Sequence, residues 1–320
     1  MKSPLLALPG AVPAEGTDEG VAAHYGDIFR EQRDLARGRG FVDLSHRGVV
    51  TVTGADRLAW LHLLLTQHVS ELPVQQATEA LVLSANGHVE HALYLVDDGT
   101  TTWAHVEPGT REALVGYLES MKFFYRVEVA DATADYAVVH LPAGSTASAD
   151  GAAAVRELPY GRDLFLPRAE LAALTGGYGP AAGIWAYEAL RIEGHRPRLG
   201  FETDHRTIPH EVDWLTSAVH LQKGCYRGQE TVARVHNLGR PPRRLVFLHL
   251  DGTEEVLPPH GTEVRLASDP AGRALGFVTS SARHHELGPI ALAIVKRNVP
   301  VDAVLLAGTV PGTQDVIVPQ

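Results

Sequence analysis

The chain has 320 residues, 45% of them hydrophobic and 21% charged, enough for two or three domains with buried cores. A net charge of −10 excludes a protein that grips nucleic acid by bulk positive charge. One cysteine, Cys225, excludes an intramolecular disulfide, a four-thiolate iron–sulfur ligand set and a CxxC zinc site, and no HExxH is present, so no metal centre is expected.

The first segment, MKSPLLALPGAVPAEGTDEG, has an apolar run only at 5–8, followed by prolines and acids. That is too short for a signal peptide core or a membrane span, so residues 1–20 are expected to be a mobile leader and the cytoplasm is the default location. GVVTVT (48–53) alternates and is β-branched, which predicts a strand. The stretch beginning GADRLAWLHLLLTQ predicts a helix with Asp56 in its first turn and Leu58, Leu61 and Leu65 on one face. An antiparallel meander follows. ALVLS (80–84) turns at Asn86-Gly87 into HVEHALYLV (88–96), and Asp97-Asp98-Gly99 leads into TTWAHVE (101–107). Residues 110–121 suit a helix, and 126–130 and 136–141 suit strands.

PAGSTASADGAAA (142–154) reads as a surface excursion. RDLFLP and PRAELAALT predict a short strand and a helix. AAGIWAYEALRIEG (181–194) predicts a strong helix with Ile184, Tyr187 and Leu190 buried and Gly194 as its stop. NLGRPPRR (237–244) is a hinge. Beyond it RRLVFLHL, GTEVRLA, RALGFVTSS, IALAIVKR and AVLLAG are short strands between turns, an all-β module. The expected class is therefore α+β with antiparallel sheets. The boundaries are a leader at 1–20, a first lobe at 21–135, a second lobe or insertion at 136–180, a return segment at 181–238 and a β-barrel at 239–320.

Cys225 lies in KGCYRGQE (223–230). Lys223 and Arg227 are placed to favour thiolate, and Gly224 and Gly228 permit a tight, exposed backbone. QETVARV (229–235) suits a helix with Glu230 in its first turn, which puts the thiol just ahead of a helix N-terminus. A packing cysteine is the other reading, because thiols pack as small hydrophobes. His205, His210, His220 and His236 are nearest in sequence, and none stands out as a catalytic base among seventeen histidines. Residues 191–244 hold ten Lys/Arg and six Asp/Glu, a local +4 that leaves −14 on the rest of the chain. Such a segment can focus a small anion, and ion pairs on a solvated face are the alternative.

KGCYRGQE resembles the K-G-C-Y-x-G-Q-E signature of the YgfZ family, folate-binding proteins similar to the glycine-cleavage T protein. Mitochondrial relatives of that family act in iron–sulfur cluster assembly. Similarity extends over roughly residues 41–297, including FVDLSHRGVVTVTGAD, LRIEG, TIPHE, VARV and GFVTSS…LGPIALAIVKR. The resemblance implies two α+β lobes, discontinuous in sequence, around a central channel for tetrahydrofolate, with the C-terminal barrel as a cap. It implies a folate site holding Glu193, Glu90, Arg191 and Tyr226, in which Glu193 accepts the paired N–H donors of the pterin. The folate's glutamate tail is the implied partner of the basic segment. Cys225, Lys223 and Arg227 become the chemically active set. Where the T protein has an Asp-Asp pair, this chain has Glu90-His91, and the T protein lacks the cysteine.

Three functions follow. One is a tetrahydrofolate-binding factor for assembly or repair of iron–sulfur proteins, with folate and cluster clients or assembly proteins as partners and no membrane. The second is a folate-dependent aminomethyl or one-carbon transferase using Glu90 or Glu193. The third is a tRNA-modification accessory protein touching phosphate through Arg240, Arg243 and Arg244. The overall acidity argues against direct nucleic-acid binding.

Overall fold

Gly48–Thr53 forms the expected strand. It lies inside a five-stranded sheet in the order Thr78–Leu83, Val89–Asp97, Thr101–Val106, Gly48–Thr53, Glu128–Asp131. The structure, a computed structural model, describes residues 1–253 and 256–318, apart from the side chain of Leu238. The helices Arg57–Leu64 and Arg111–Ser120 cover one face of the sheet. Trp60, Leu61, Leu64, Leu65, Leu114 and Leu118 pack there against Val50, Val52, Leu93, Leu95, Ala104 and Val106. The buried seam of the first helix thus includes Trp60, while Leu58 is only half-buried. The large indole takes the core position, and its Nε1 donates to the Met121 carbonyl at 2.9 Å.

A second five-stranded sheet runs in the order Ala154–Leu158, Gly161–Pro167, Tyr136–Pro142, Phe41–Asp43, Ala181–Ala182. Its last pair is parallel and the others are antiparallel. Phe41–Asp43 therefore belongs to this sheet although it precedes every strand of the first, so this lobe is discontinuous in sequence. Residues 168–173 form a 3₁₀ helix. The helix expected from 181 begins at Ile184, after the two-residue strand, and ends at Glu193. Ile184 and Tyr187 are buried, Leu190 is half-buried, and Ala186 and Ala189 complete the inner face.

Residues 1–20 are not a loose leader. Leu5 is buried with Phe41, Leu141, Leu164 and Leu171 in the core of the second sheet. Val12–Pro13 pairs with Ala22–His24 as a short ribbon. The buried leucine, the ribbon, the Ser3 N–H bond to the Gly20 carbonyl at 2.8 Å and the Asp18–His46 contact at 3.0 Å together order the segment.

The C-terminal strands Arg243–Leu250, Gly288–Lys296, Gly276–His284, Glu263–Leu266, Leu305–Ala307 and Val310–Val316 close into a barrel in that order. Val246, Leu248 and Leu250 face inward opposite Ala291, Ala293 and Val295, the period-two pattern visible in the sequence. Two compact units emerge. One comprises Met1–Val82, His91–Tyr187 and Lys223–Tyr226, and the other Leu83–Glu90, Glu188–Gln222 and Arg227–Gln320. No helix among the described residues is long and apolar enough to cross a membrane.

Candidate functional site

Lys223 is buried, and its Nζ donates to the backbone carbonyls of His62 and Leu65. These are among the carbonyls that the last turn of the Arg57–Leu64 helix leaves without an intrahelical partner, so the lysine caps that helix. Burial pulls its ammonium down to about 8. The Nζ also sits 5.1 Å from the centroid of the Tyr226 ring. Tyr226 is buried, and burial pushes its phenol up to about 12, so it stays a hydrogen-bond donor at neutral pH. Between these two fixed side chains, Gly224 and Cys225 are exposed.

Arg227 donates to Glu90 at 3.0 Å. Both cations expected to favour the thiolate thus have hydrogen-bond partners of their own. Lys223 is held by helix carbonyls and Arg227 by a carboxylate. Both contacts lie within two residues of Cys225 and tie down the chain on either side of it.

Gly228 has φ +82° and caps the Gln229–Leu238 helix. A Cβ there would lie 2.5 Å from the Ser84 carbonyl oxygen and 2.9 Å from Gly87 Cα. Gly87, the turn residue of the Asn86-Gly87 hairpin, would in turn bring a Cβ to 2.7 Å from Thr231 Cβ. The motif glycine and the hairpin glycine thus allow two backbones to meet. Gly228→Ala is expected to cost at least about 1–2 kcal/mol from the left-handed backbone and the clash. Urea unfolding measures it, and an unchanged midpoint would contradict this packing.

Glu193 ends its helix with its side chain 45% exposed and its Oε2 3.3 Å from His284 Nε2. His284 Nδ1 accepts from the backbone N–H groups of Glu286 and Leu287 at 3.2 and 3.1 Å, so the proton sits on Nε2, toward the carboxylate. Arg191 is engaged inside the protein. It is buried, and its guanidinium donates to Glu188, Glu202, Ser280 and the Arg196 carbonyl.

Three further cations of the basic segment are also engaged internally, while Arg206, Arg234 and Arg240 are exposed. Arg198 pairs with Glu188 at 3.0 Å, and Arg243 with Asp204 and Glu211 at 2.6 and 2.8 Å. Arg244 is buried and donates to the Val299 carbonyl and Gln314. Of the three hinge arginines expected to touch phosphate, Arg243 and Arg244 are committed elsewhere and Arg240 is exposed. A local excess of cations became a set of buried ion pairs because Glu188, just outside the counted segment, and Glu202 and Glu211 within it fold against them.

Sequence reasoning missed a buried charged cluster in the first unit. Asp163 Oδ1 accepts from His140 Nδ1 at 2.8 Å, and Oδ2 accepts from Arg156 Nη1 at 2.8 Å and faces His105 Nε2 at 3.2 Å. Arg156, Asp163 and His140 are cross-strand neighbours in the second sheet, and His105 comes from the first. Tyr94 stacks on His105 at 4.9 Å. Only the alternation of a charged residue into an apolar strand, as in RDLFLP, hinted at it. Among the described residues no group of three or more His, Cys, Asp or Glu could hold a metal.

No family model matches the chain. An aminomethyltransferase of Herpetosiphon aurantiacus is 26% identical over 92% of this chain and 90% of its own length. A mitochondrial iron–sulfur cluster assembly factor IBA57 homolog of Mycosarcoma maydis is 26% identical over 79% and 73%. The tRNA-modifying protein YgfZ of Edwardsiella ictaluri is 30% identical over 37% and 35%. In structure, the glycine cleavage system aminomethyltransferase T of Bartonella henselae superposes with a TM-score of 0.80 at 18% identity, covering 98% of this chain and 94% of that one. The chain thus has the aminomethyltransferase T fold, and the relatives it is similar to include YgfZ-like and IBA57-like proteins as well as aminomethyltransferases.

Proposed function

We propose that the chain is a tetrahydrofolate-binding factor that supports assembly or repair of iron–sulfur proteins, with Cys225 as its working thiol. The observation that carries this reading is the loop itself. Cys225 is exposed between two buried, fixed neighbours, Lys223 and Tyr226, so the thiol is presented on a rigid support instead of packed away. The IBA57 and YgfZ relatives support the same reading.

Glu193 fits a folate. Its carboxylate is partly exposed, His284 occupies one side of one oxygen, and lone pairs remain for the paired N–H donors of a pterin. Arg191, Glu90 and Tyr226 fit direct contact less well. Arg191 holds Glu188 and Glu202, Glu90 holds Arg227, and Tyr226 is covered. When bound, tetrahydrofolate supplies a carrier for one-carbon units. The chain's own residues orient it at Glu193 and present the thiol at Cys225. Calorimetric titration with tetrahydrofolate is expected to show saturable binding that weakens roughly tenfold or more in Glu193→Gln, the loss of a charge-assisted hydrogen bond. The absence of saturable heat with the wild type rejects the folate reading.

The aminomethyltransferase relatives favour a transferase as the second reading. It is weaker because Glu90, the one carboxylate left at the T protein's aspartate pair, is tied to Arg227. Turnover of methylene-tetrahydrofolate with an aminomethyl donor by the purified protein would favour it.

A further inference from the structure

The loop after the Arg111–Ser120 helix carries Phe123 and Phe124, 75% and 100% exposed, followed by Tyr125 at 37%. The Tyr125 N–H donates to the Lys122 carbonyl at 3.0 Å, closing a four-residue turn with both phenylalanines at its apex. Phe123 has φ +42°, the left-handed backbone at a turn's first central position that favours glycine or asparagine. A phenylalanine there opposes local turn chemistry and gains nothing from burial. Residues that break a local rule without a folding gain concentrate where a protein works.

The turn is tied to the Arg57–Leu64 helix at both ends. Arg126 donates to Asp56 through its backbone N–H and through Nε at 2.9 Å each, and through Nη2 at 2.8 Å. Trp60 Nε1 holds the Met121 carbonyl. Asp56 and Trp60 belong to the start of the Arg57–Leu64 helix, whose other end is capped by Lys223. One eight-residue helix, about 12 Å long at 1.5 Å per residue, thus anchors the aromatic turn and the cysteine loop from opposite ends.

We infer that Phe123 and Phe124 form a docking knob that enters an apolar pocket on the iron–sulfur client or carrier protein served by Cys225. The inference rests on the cluster-assembly reading. Two aromatic side chains bury roughly 150–250 Å² each. That falls short of the ~800 Å² per partner of a stable dimer, and it matches a brief encounter anchored by a hot spot better than a second copy of this chain. An anionic lipid surface or a nucleic acid is a poor occupant. The chain carries −10, and the cations beside the knob, Lys122 and Arg126, are already paired with Glu119 and Asp56.

The test uses the full chain in a strain lacking its gene, with the activity of a 4Fe–4S dehydratase as readout. The double substitution Phe123→Gly and Phe124→Ser is expected to keep or raise the melting temperature and to leave the tetrahydrofolate titration unchanged. It is expected to lower rescue of the dehydratase by roughly tenfold or more. A photo-crosslinking phenylalanine at position 124 is expected to join a protein that binds or carries a cluster. Full rescue by the double variant overturns the inference. So does a crosslink to a second copy, the lack of any adduct with a cluster protein, or co-sedimentation of the wild type but not the variant with phosphatidylglycerol vesicles. Cys225→Ala in the same strain separates the two levels. If the wild type itself does not rescue, the cluster reading fails, and if Cys225→Ala rescues fully, the thiol is removed from that reading. If Cys225→Ala does not rescue while the double variant does, only the docking knob fails.

Discussion

Replacing Asp163 by alanine is expected to destabilise the protein by about 3–5 kcal/mol, the usual cost of breaking a buried ion pair by removing one partner. At about 2–4 °C per kcal/mol, that lowers the melting temperature by roughly 10 °C. Asp163 is buried where His105, His140 and Arg156 converge. Without the carboxylate, Arg156 keeps a buried charge and loses its 2.8 Å partner. Burial by itself would raise the Asp163 carboxyl, but hydrogen bonds from the two histidines overcome this and hold it well below its usual range. Asp163→Asn, which keeps the shape and removes the charge, should fall between the two. Urea unfolding of the three proteins measures the difference, and a change under about 1 kcal/mol for the alanine variant would contradict a buried charged cluster.

The same cluster sets a pH dependence. Burial holds the His105 imidazole down to about 4, below its ordinary 6.5, and burial does the same to His210. Between those values the unfolded chain binds protons that the folded protein refuses. Stability is therefore full above about 6.5 and falls as the pH drops from 6.5 toward 4. The Asp163 contribution is present above the unfolded carboxyl's ~3.9 and is lost only below it.

Cys225→Ala is expected to reduce rescue of a cluster enzyme to the level of the gene deletion, with tetrahydrofolate affinity and melting temperature nearly unchanged. An exposed side chain contributes little to folding, so the substitution removes chemistry and leaves packing alone. Cys225→Ser should fail as well, because a hydroxyl at neutral pH is neither the nucleophile nor the soft ligand that a thiolate is. Full rescue by either variant would remove the thiol from the function and leave the folate reading standing alone.

The hairpin at Asn86-Gly87, the alternating strands and the barrel's short apolar runs were legible because each is set by neighbours a few residues apart. The seam of the Arg57–Leu64 helix was legible only in part. Its leucines alone suggest Leu58, while the sheet beneath it selects Trp60. The order of residues 1–20 escaped because it depends on Leu5 meeting Phe41 and Leu171, contacts far apart in the chain.

Sequence by itself determined the α+β class, the barrel, the signature around Cys225 and the resemblance that the relatives and the fold bear out. These depend on local pattern and on residue identity within a short motif. Tertiary structure alone decided what each charge does. Lys223 became a helix cap, Arg227 a partner of Glu90, and Arg191 and Arg243 members of internal ion pairs, while Asp163 gathered two histidines and an arginine from separate strands. A cation's role is set by the nearest carboxylate or carbonyl in space, within about 3 Å. Spacing along the chain does not specify that neighbour until the sheets have paired.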